Sequence, residues 1–234
     1  MLKVERINAG YGYLQVLRNV SIAVNDGEFV SILGPNGAGK TTTLRTISGL
    51  IKPSTGKIHY NNEDITVLST HEIVHRGISY VTENMNLFVN MTVFENLLMG
   101  AYIVKDDRRV RKTVDLIFDV FPRLAERKNQ LAGTLSGGER KMLAIARGIM
   151  SNPKLILIDE PSLGLQPNLV DSVFDTLVKL HREGITILLV EQDVIASLEI
   201  TQRTYLLEKG EIVLEGKSEE LKNNPHIKNV YVGI

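Results

Sequence analysis

The sequence contains no cysteine, no excess of charge of one sign and no long apolar run. The lack of cysteine excludes disulfides, thiolate metal sites and cysteine nucleophiles, and it agrees with a cytosolic protein. The 27 basic residues balance the 27 acidic residues, so no overall field draws the chain to nucleic acid or to an anionic membrane. We therefore predict no nucleic-acid partner.

The apolar runs are short. The longest, such as residues 185–190, fall far below the roughly 18 residues that indicate a membrane-spanning helix. The opening segment MLKVERINAG has no apolar core and does not resemble a secretory signal. We expect a soluble or peripheral protein, and 234 residues with 43% hydrophobic content are enough to bury a sizeable core.

Three largely apolar runs, at residues 29–33, 155–158 and 185–190, are separated by helical patterns. Continuous apolar strands separated by helices indicate a parallel sheet covered on both faces. Two shorter runs, at residues 205–207 and 212–214, flank a turn and predict a closing hairpin. The predicted fold class is therefore α/β.

Two other regions do not follow that alternation. Strand patterns with mixed faces, at residues 2–8 and 16–24, predict an antiparallel β subdomain at the N-terminal side. Consecutive helical patterns at residues 92–102 and 108–121 predict an inserted α-helical subdomain.

A glycine-rich loop lies between the run at residues 29–33 and a helix predicted at residues 40–50. Its sequence, GPNGAGKT, fits the G-x-x-x-x-G-K-[ST] pattern of a phosphate-binding loop. Backbone N–H groups of such a loop face the phosphates, Lys40 adds an ammonium for the outer phosphates, and Thr41 is placed to ligate magnesium. An ordinary glycine-rich turn is the alternative. The predicted nucleotide-binding residues here are Gly34, Pro35, Asn36, Gly37, Ala38, Gly39, Lys40, Thr41 and Thr42.

Two carboxylates, Asp159 and Glu160, follow the run at residues 155–158. They are predicted at the carboxyl end of a buried strand, the edge of an α/β sheet where ligands bind. Asp159 suits the second shell of a magnesium ion, and Glu160 can orient and polarise the water that attacks a terminal phosphate. By itself this ending is weak evidence, because strand ends often meet solvent through acidic residues. Together with the phosphate loop it is strong evidence.

The segment LSGGE at residues 135–139 resembles the signature of the ATP-binding-cassette ATPases. Ser136, Gly137 and Gly138 expose N–H groups before a helix predicted at residues 139–150, which makes a second anion site, and Glu139 completes the motif. Without the family, LSGGE is only a good helix start. The resemblance covers nearly the whole chain.

The resemblance implies a P-loop core over residues 1–83 and 135–234 and a helical subdomain over about residues 84–134, all in one domain. It also implies magnesium-dependent ATP hydrolysis by two such domains paired head to tail, each signature covering the nucleotide on the other's phosphate loop.

Four further positions are assigned only through this resemblance. Tyr11 falls where the family stacks an aromatic ring on adenine, with a core tyrosine as the alternative. Glu83 replaces the usual glutamine that senses magnesium and contacts the transporter. Gln192 replaces the switch histidine at the terminal phosphate, and its amide can donate a hydrogen bond but cannot become cationic. Leu165 replaces an aspartate of the loop that crosses the dimer.

Several phrases resemble one subgroup, the smaller ATP-binding subunit of branched-chain amino-acid importers. They are ENLLMGAY at 95–102, DEPSLGL at 159–165, TILLVEQ at 186–192 and IVLEGK at 212–217. VTENMNLF at 81–88 and ARGIM at 146–150 depart from that subgroup.

The subgroup implies specific partners and a location. The partners are integral membrane permease subunits, a second ATPase subunit that is identical or merely similar, and indirectly an extracytoplasmic solute-binding protein. The location is the cytoplasmic face of the cell membrane. Two alternatives stay open: a nucleotide-gated dimerising clamp that regulates a soluble partner, and the ATPase of a urea or amide importer.

Overall fold

The computed structural model describes residues 1–228. Residues 229–234, the end of the predicted domain, lie outside the described residues. The chain divides into two compact units, which are described separately. The first unit consists of Met1–Ile73 and Thr186–Ile234, and the second of Val74–Ile185.

The strands of the described residues are β1 (Leu2–Tyr11), β2 (Leu14–Val24), β3 (Phe29–Leu33), β4 (Thr55–Tyr60), β5 (Glu63–Asp64), β6 (Ile78–Val81), β7 (Leu155–Asp159), β8 (Thr186–Glu191), β9 (Arg203–Glu208) and β10 (Glu211–Lys217). The helices are α1 (Lys40–Ile47), α2 (Thr70–His75), α3 (Val93–Gly100), α4 (Asp107–Val120), α5 (Pro122–Glu126), α6 (Gly137–Ile149), α7 (Pro167–Arg182), α8 (Val194–Ile200), α9 (Ser218–Leu221) and α10 (Pro225–Ile227). A 3-10 turn covers Ala132–Thr134.

The first unit contains a four-stranded antiparallel sheet in the order β2-β1-β4-β5. In its centre, Leu2 of β1 pairs with Val24 of β2 and with Tyr60 of β4. In β1 the apolar side chains of Leu2, Val4, Ile7 and Ala9 are buried and the polar ones are not, so one face of this sheet belongs to the core. The predicted antiparallel β subdomain is confirmed.

The same unit contains the strands β10-β9-β3-β8, in that spatial order. β3 runs parallel to both neighbours, with Val30 opposite Leu188 on one side and Arg203 on the other. Every residue of β3 and β8 is buried, as expected for parallel strands covered on both faces. β9 and β10 pair antiparallel, which confirms the closing hairpin.

In the second unit, β6 and β7 form a parallel pair with Ile78 opposite Leu155. All of β7 is buried, and α6 buries the apolar side chains of Leu143, Ile145 and Ile149. Helices α3, α4 and α5 lie within the range predicted for the helical subdomain. The boundaries of that subdomain stay a prediction. Among the described helices, none is both long and apolar enough to cross a bilayer.

Two predicted helix bounds are corrected by local chemistry. The helix predicted to start at Glu139 begins at Gly137, because Ser136 is its N-cap and Glu139 its third residue. The helix predicted to reach residue 50 ends at Ile47, and Gly49 follows with φ of 76°, a left-handed conformation that terminates helices.

Candidate functional site

The glycine-rich loop connects β3 to α1 in the first unit. Gly37 and Gly39 have φ values of 77° and 109°, in the left-handed region that glycine enters without steric cost. Gly39 is also the N-cap of α1, so the helix begins at Lys40 without a side-chain cap. The loop therefore presents backbone N–H groups at a helix N-terminus, which is the arrangement that binds phosphate.

Packing restricts two glycines of this loop. A Cβ on Gly34 would lie 2.1 Å from the carbonyl oxygen of Leu207, and one on Gly39 would lie 2.7 Å from Cδ2 of Leu17. A Cβ on Gly37 would have no neighbour within 4 Å. Close approach of the Leu207 backbone thus requires glycine at position 34, a requirement that motif matching does not reveal. At position 39 the Leu17 side chain can shift, and the φ of 109° is what favours glycine.

Lys40 folds its side chain back over the loop. Its Nζ donates to the carbonyl oxygens of Gly34 at 2.8 Å and Pro35 at 3.1 Å, and the residue is 4% exposed. Hydrogen bonds of this kind offset the cost of burying an ammonium group. The predicted phosphate lysine is therefore held at the loop that it is proposed to serve. Thr41 is partly buried and Thr42 is buried on the same helix.

Tyr11, at the end of β1, lies beside the start of α1. Its hydroxyl accepts a hydrogen bond from Arg45 at 3.0 Å and lies 3.5 Å from Oγ1 of Thr42. The residue is 44% exposed, which is not the environment of a core tyrosine. Its ring thus has area available for stacking, and the predicted adenine contact stays a prediction. Arg45 was not identified from the sequence.

Three polar residues follow the apolar part of β8, and each has a different environment. Glu191 is buried, and its carboxylate accepts a hydrogen bond from the backbone N–H of Gln192 at 3.0 Å. Gln192 is half-buried. Asp193 caps α8 by accepting from the N–H of Ala196 at 3.0 Å. Glu191 and Asp193 thus shape the chain around the predicted switch residue.

In the second unit, Asp159 is the last residue of β7 and is 2% exposed. The Tyr80 hydroxyl on the neighbouring strand β6 donates to Oδ2 of Asp159 at 2.7 Å. A hydrogen bond from a hydroxyl to a carboxylate fixes the rotamer of the acid. Tyr80 was missed by the sequence reading, because nothing local connects it to a residue 79 positions away.

Glu160 has an unusual backbone. Its φ is 45°, it precedes Pro161, and the residue is 6% exposed. Its carbonyl oxygen accepts hydrogen bonds from Nζ of Lys141 at 2.9 Å and from the N–H of Leu163 at 3.3 Å. A left-handed conformation costs a non-glycine residue about 1–3 kcal/mol, and such strain clusters at active sites.

The LSGGE segment forms a capping box. The Ser136 hydroxyl accepts from the N–H of Glu139 at 3.3 Å, and the Glu139 carboxylate accepts from the Ser136 N–H at 2.9 Å. Burial disfavours the charge of Glu139, but these bonds and the ion pair with Arg127 at 2.7 Å outweigh it and lower the pKa. The Glu139 carboxylate thus builds the helix start, and its predicted contact with nucleotide stays a prediction.

The glycines of this segment occupy the first turn of α6. Ser136 and Gly137 are exposed and Gly138 is buried, where a Cβ would lie 3.2 Å from Cδ1 of Leu169. The helix start therefore offers backbone N–H groups at an accessible surface, as the anion-site prediction requires.

Glu83 is partly buried in the turn that follows β6. Beyond it, Met85 and Asn86 have left-handed φ values of 59° and 47°. Arg147 of α6 donates to the carbonyl oxygens of both at 2.7 Å, and its guanidinium lies 5.5 Å from the Phe88 ring centroid. Arg147, which was not identified from the sequence, therefore helps to hold this segment in place.

Comparisons with known proteins agree with the described geometry. The family model described as ABC transporter matches residues 17–163. The branched-chain amino acid transport ATP-binding protein BraG of Pseudomonas aeruginosa is 43% identical over 100% of both chains. A protein described as "Probable branched-chain amino acid transport ATP-binding protein LivF", from Archaeoglobus fulgidus, is 38% identical over 100% of this chain and 99% of its own. The lipopolysaccharide export ATP-binding protein LptB of Haemophilus influenzae is 36% identical over 100% of this chain and 97% of its own.

A solved structure gives the same result for the fold. The ADP conformation of an ATP-binding cassette from an ABC transporter is similar with a TM-score of 0.89 and 33% identity, over 100% of this chain and 99% of that one. The predicted P-loop fold and the resemblance to ATP-binding-cassette ATPases are confirmed. The chain belongs to the ABC transporter family.

Proposed function

We propose that this chain is the ATP-hydrolysing subunit of an importer for branched-chain or related amino acids, with Glu160 as its general base. The observation that carries the chemistry is the buried, strained backbone of Glu160 directly after Asp159. The substrate class is supported by the full-length similarity to BraG at 43% identity.

In the proposed reaction, the Glu160 carboxylate accepts a proton from a water molecule while the oxygen of that water attacks the terminal phosphorus of ATP. The bond between that phosphorus and the bridging oxygen breaks, and the bridging oxygen leaves with its electron pair on ADP. Lys40 and the loop N–H groups hold the phosphate charge. Tyr11 stacks on adenine, and Gln192 donates its amide hydrogen bond to the terminal phosphate without titrating.

Residues of each unit have side chains that suit magnesium. Thr41 supplies a hydroxyl, and Asp159 supplies a buried carboxylate whose Oδ2 is oriented by Tyr80. Hydroxyl and carboxylate oxygens are the ligand class of this hard cation. We propose that these two residues and Glu83 serve the metal, which neutralises phosphate charge when bound.

The partners are proposed to be permease subunits, at the cytoplasmic face of the membrane, together with a second ATPase subunit. Exposed apolar side chains on and after α3 support a permease contact: Phe94 is 38% exposed, Leu98 41%, Met99 42% and Tyr102 84%. Apolar side chains grouped on one helix indicate a protein interface. The signature helix start is proposed to cover nucleotide held by the second ATPase subunit.

Two other transport functions and a non-transport function compete with this proposal. LptB, an ATP-binding protein of lipopolysaccharide export, has 36% identity against 43% for BraG, so the margin favours amino-acid import. None of the three relatives named above is described as a urea or amide importer or as a soluble clamp.

The test is to purify the full chain with its permease and ATPase partners and to measure ATP hydrolysis of Glu160→Gln. We expect the rate to fall by about 10²- to 10⁴-fold, the contribution of a positioned base, while unhydrolysed ATP stays bound to the complex after removal of free nucleotide. Glu183→Gln, an exposed glutamate after α7, is the matched control. A Glu160→Gln complex that hydrolyses ATP normally would remove Glu160 from the mechanism.

The substrate is tested in proteoliposomes containing the complete transporter. ATP-dependent uptake of labelled leucine that is inhibited by valine and isoleucine would support the proposal. Uptake of urea instead, or copurification with a soluble protein and no permease, would support one of the alternatives.

A further inference from the structure

We infer that Lys141 is a positioning residue that holds the Glu160 backbone and thereby connects the signature helix α6 to the catalytic carboxylate. The inference rests on the proposed role of Glu160 as the base. It assigns a role to a residue that neither the phosphate loop, the signature segment nor the carboxylate pair includes.

Lys141 lies on the buried side of α6. It is 7% exposed, and its Nζ is 2.9 Å from the carbonyl oxygen of Glu160. A buried ammonium group is costly unless polar groups surround it, and an ordinary core position would be occupied by an apolar residue. The placement of a charge here therefore indicates that the contact with the Glu160 carbonyl has a use beyond packing.

The Glu160 carbonyl needs a strong partner because its backbone is strained in two ways. Its φ of 45° is in the left-handed region, and the following residue, Pro161, further restricts the backbone of Glu160. The direction of a carbonyl depends on ψ of its own residue. A charged donor on that oxygen therefore fixes ψ of Glu160. With ψ fixed, the Cα–Cβ bond of Glu160 has a set direction relative to the residues that follow.

Lys141 also lies on the helix that begins with the signature residues. Five positions separate Ser136 from Lys141, which corresponds to about 7.5 Å along a helix at 1.5 Å per residue. Because a capped helix moves as a rigid element, displacement of its N-terminus also displaces the ammonium that holds Glu160. When Ser136 and Gly137 bind the nucleotide held by the partner ATPase, the position of the proposed base, Glu160, would thus be adjusted.

The first experiment compares three variants in the complete transporter. Lys141→Met removes the charge and keeps the side-chain length, Lys141→Arg keeps a charged donor, and Lys112→Met changes an exposed lysine of α4 as a matched control. We expect Lys141→Met to lower kcat by about 10- to 100-fold, as misplacement of a catalytic group does. KM and the ATP dissociation constant should stay within about 2-fold, because the phosphate loop is unchanged.

Lys141→Arg should recover most of the lost kcat, and Lys112→Met should match the parent. Unchanged kcat in Lys141→Met, or an equal loss of ATP affinity, would overturn the inference because Lys141 would then have no role or only a structural one. If Lys141→Met does not fold, as judged by its thermal melt, Lys141→Gln replaces it. In that case the kcat of Lys141→Arg must exceed the kcat of Lys141→Gln by the same factor.

The second experiment places Lys141→Met in the Glu160→Gln background. A residue that acts only through the Glu160 carboxylate should cause no further loss there, whereas an additional ~10-fold loss would show an independent role and overturn the inference. The controls separate two failures. If the Glu160→Gln variant hydrolyses ATP at the normal rate, both the proposed base and this inference are refuted. If Glu160→Gln loses hydrolysis but Lys141→Met hydrolyses ATP normally, only the inference is refuted.

Discussion

The hydroxyl of Tyr80 donates a 2.7 Å hydrogen bond to Oδ2 of Asp159, the buried carboxylate at the end of β7. If Asp159 serves magnesium, Tyr80 is an outer partner that orients the acid. Loss of such a partner typically weakens metal binding by 10- to 100-fold. We predict that Tyr80→Phe raises the magnesium concentration for half-maximal ATP hydrolysis by about 10-fold.

The control for this variant is Tyr13→Phe, which removes the hydroxyl of a fully exposed side chain. Magnesium titrations of the hydrolysis rate compare the two. ATP binding in the absence of magnesium should be the same in both. An unchanged magnesium requirement in Tyr80→Phe would show that the hydrogen bond does not act on metal binding.

Two glycines of the phosphate loop should respond differently to alanine. Gly37→Ala places its Cβ in open space at φ of 77° and should destabilise the fold by about 1–2 kcal/mol from backbone strain alone. Gly34→Ala drives its Cβ against the Leu207 carbonyl oxygen and should cost about 3 kcal/mol. Urea unfolding without nucleotide measures both. Equal losses would contradict the packing role of Gly34.

The ion pair of Glu28 and Arg203 should make stability depend on pH. Arg203 donates to both carboxylate oxygens of Glu28, at 2.7 and 2.8 Å. Burial alone would raise the pKa of Glu28, but hydrogen bonds from Arg203 and Asn25 outweigh it and lower the pKa from 4.5. The stabilisation is therefore present at neutral pH and is lost as pH falls through the folded-state value, below about 4.5.

We predict that Glu28→Gln loses about 2 kcal/mol of unfolding free energy at pH 7, the scale of hydrogen bonds to charged groups. The difference from the parent should shrink as the pH falls through the lowered pKa of Glu28, because the parent carboxylate then becomes protonated. Glu5→Gln is the control, since Glu5 pairs with Lys3 at an exposed surface and such pairs contribute little. A pH-independent difference would show that shape, not charge, matters at Glu28.

Arg147 should control the segment that follows Glu83. Its two donors hold the carbonyls of Met85 and Asn86, a forked geometry that lysine cannot reproduce. We predict that Arg147→Lys speeds amide hydrogen exchange of a peptide covering residues 85–91 by about 10-fold, as expected when local opening becomes easier. Exchange in β7 should be unchanged, and a global increase would instead indicate loss of the whole fold.

The sequence by itself determined the parts of this protein that depend on neighbours along the chain. The glycine loop between a strand and a helix, the carboxylates at the end of an apolar strand and the antiparallel strands near the start were all predicted from local patterns. The capping box could also have been predicted, because Ser136 and Glu139 have the S-x-x-E spacing. Local dihedral preferences and side-chain periodicity are sufficient for such features.

Only the tertiary structure decided which side chains support the functional residues. Tyr80 meets Asp159 across 79 residues, Arg147 meets Met85 across 62, and Lys141 meets the Glu160 carbonyl across 19. Each contact depends on strand register or helix packing, which bring together residues with no shared local pattern. The left-handed backbone of Glu160 likewise exists because the surrounding contacts hold it, since its own preferences oppose that conformation.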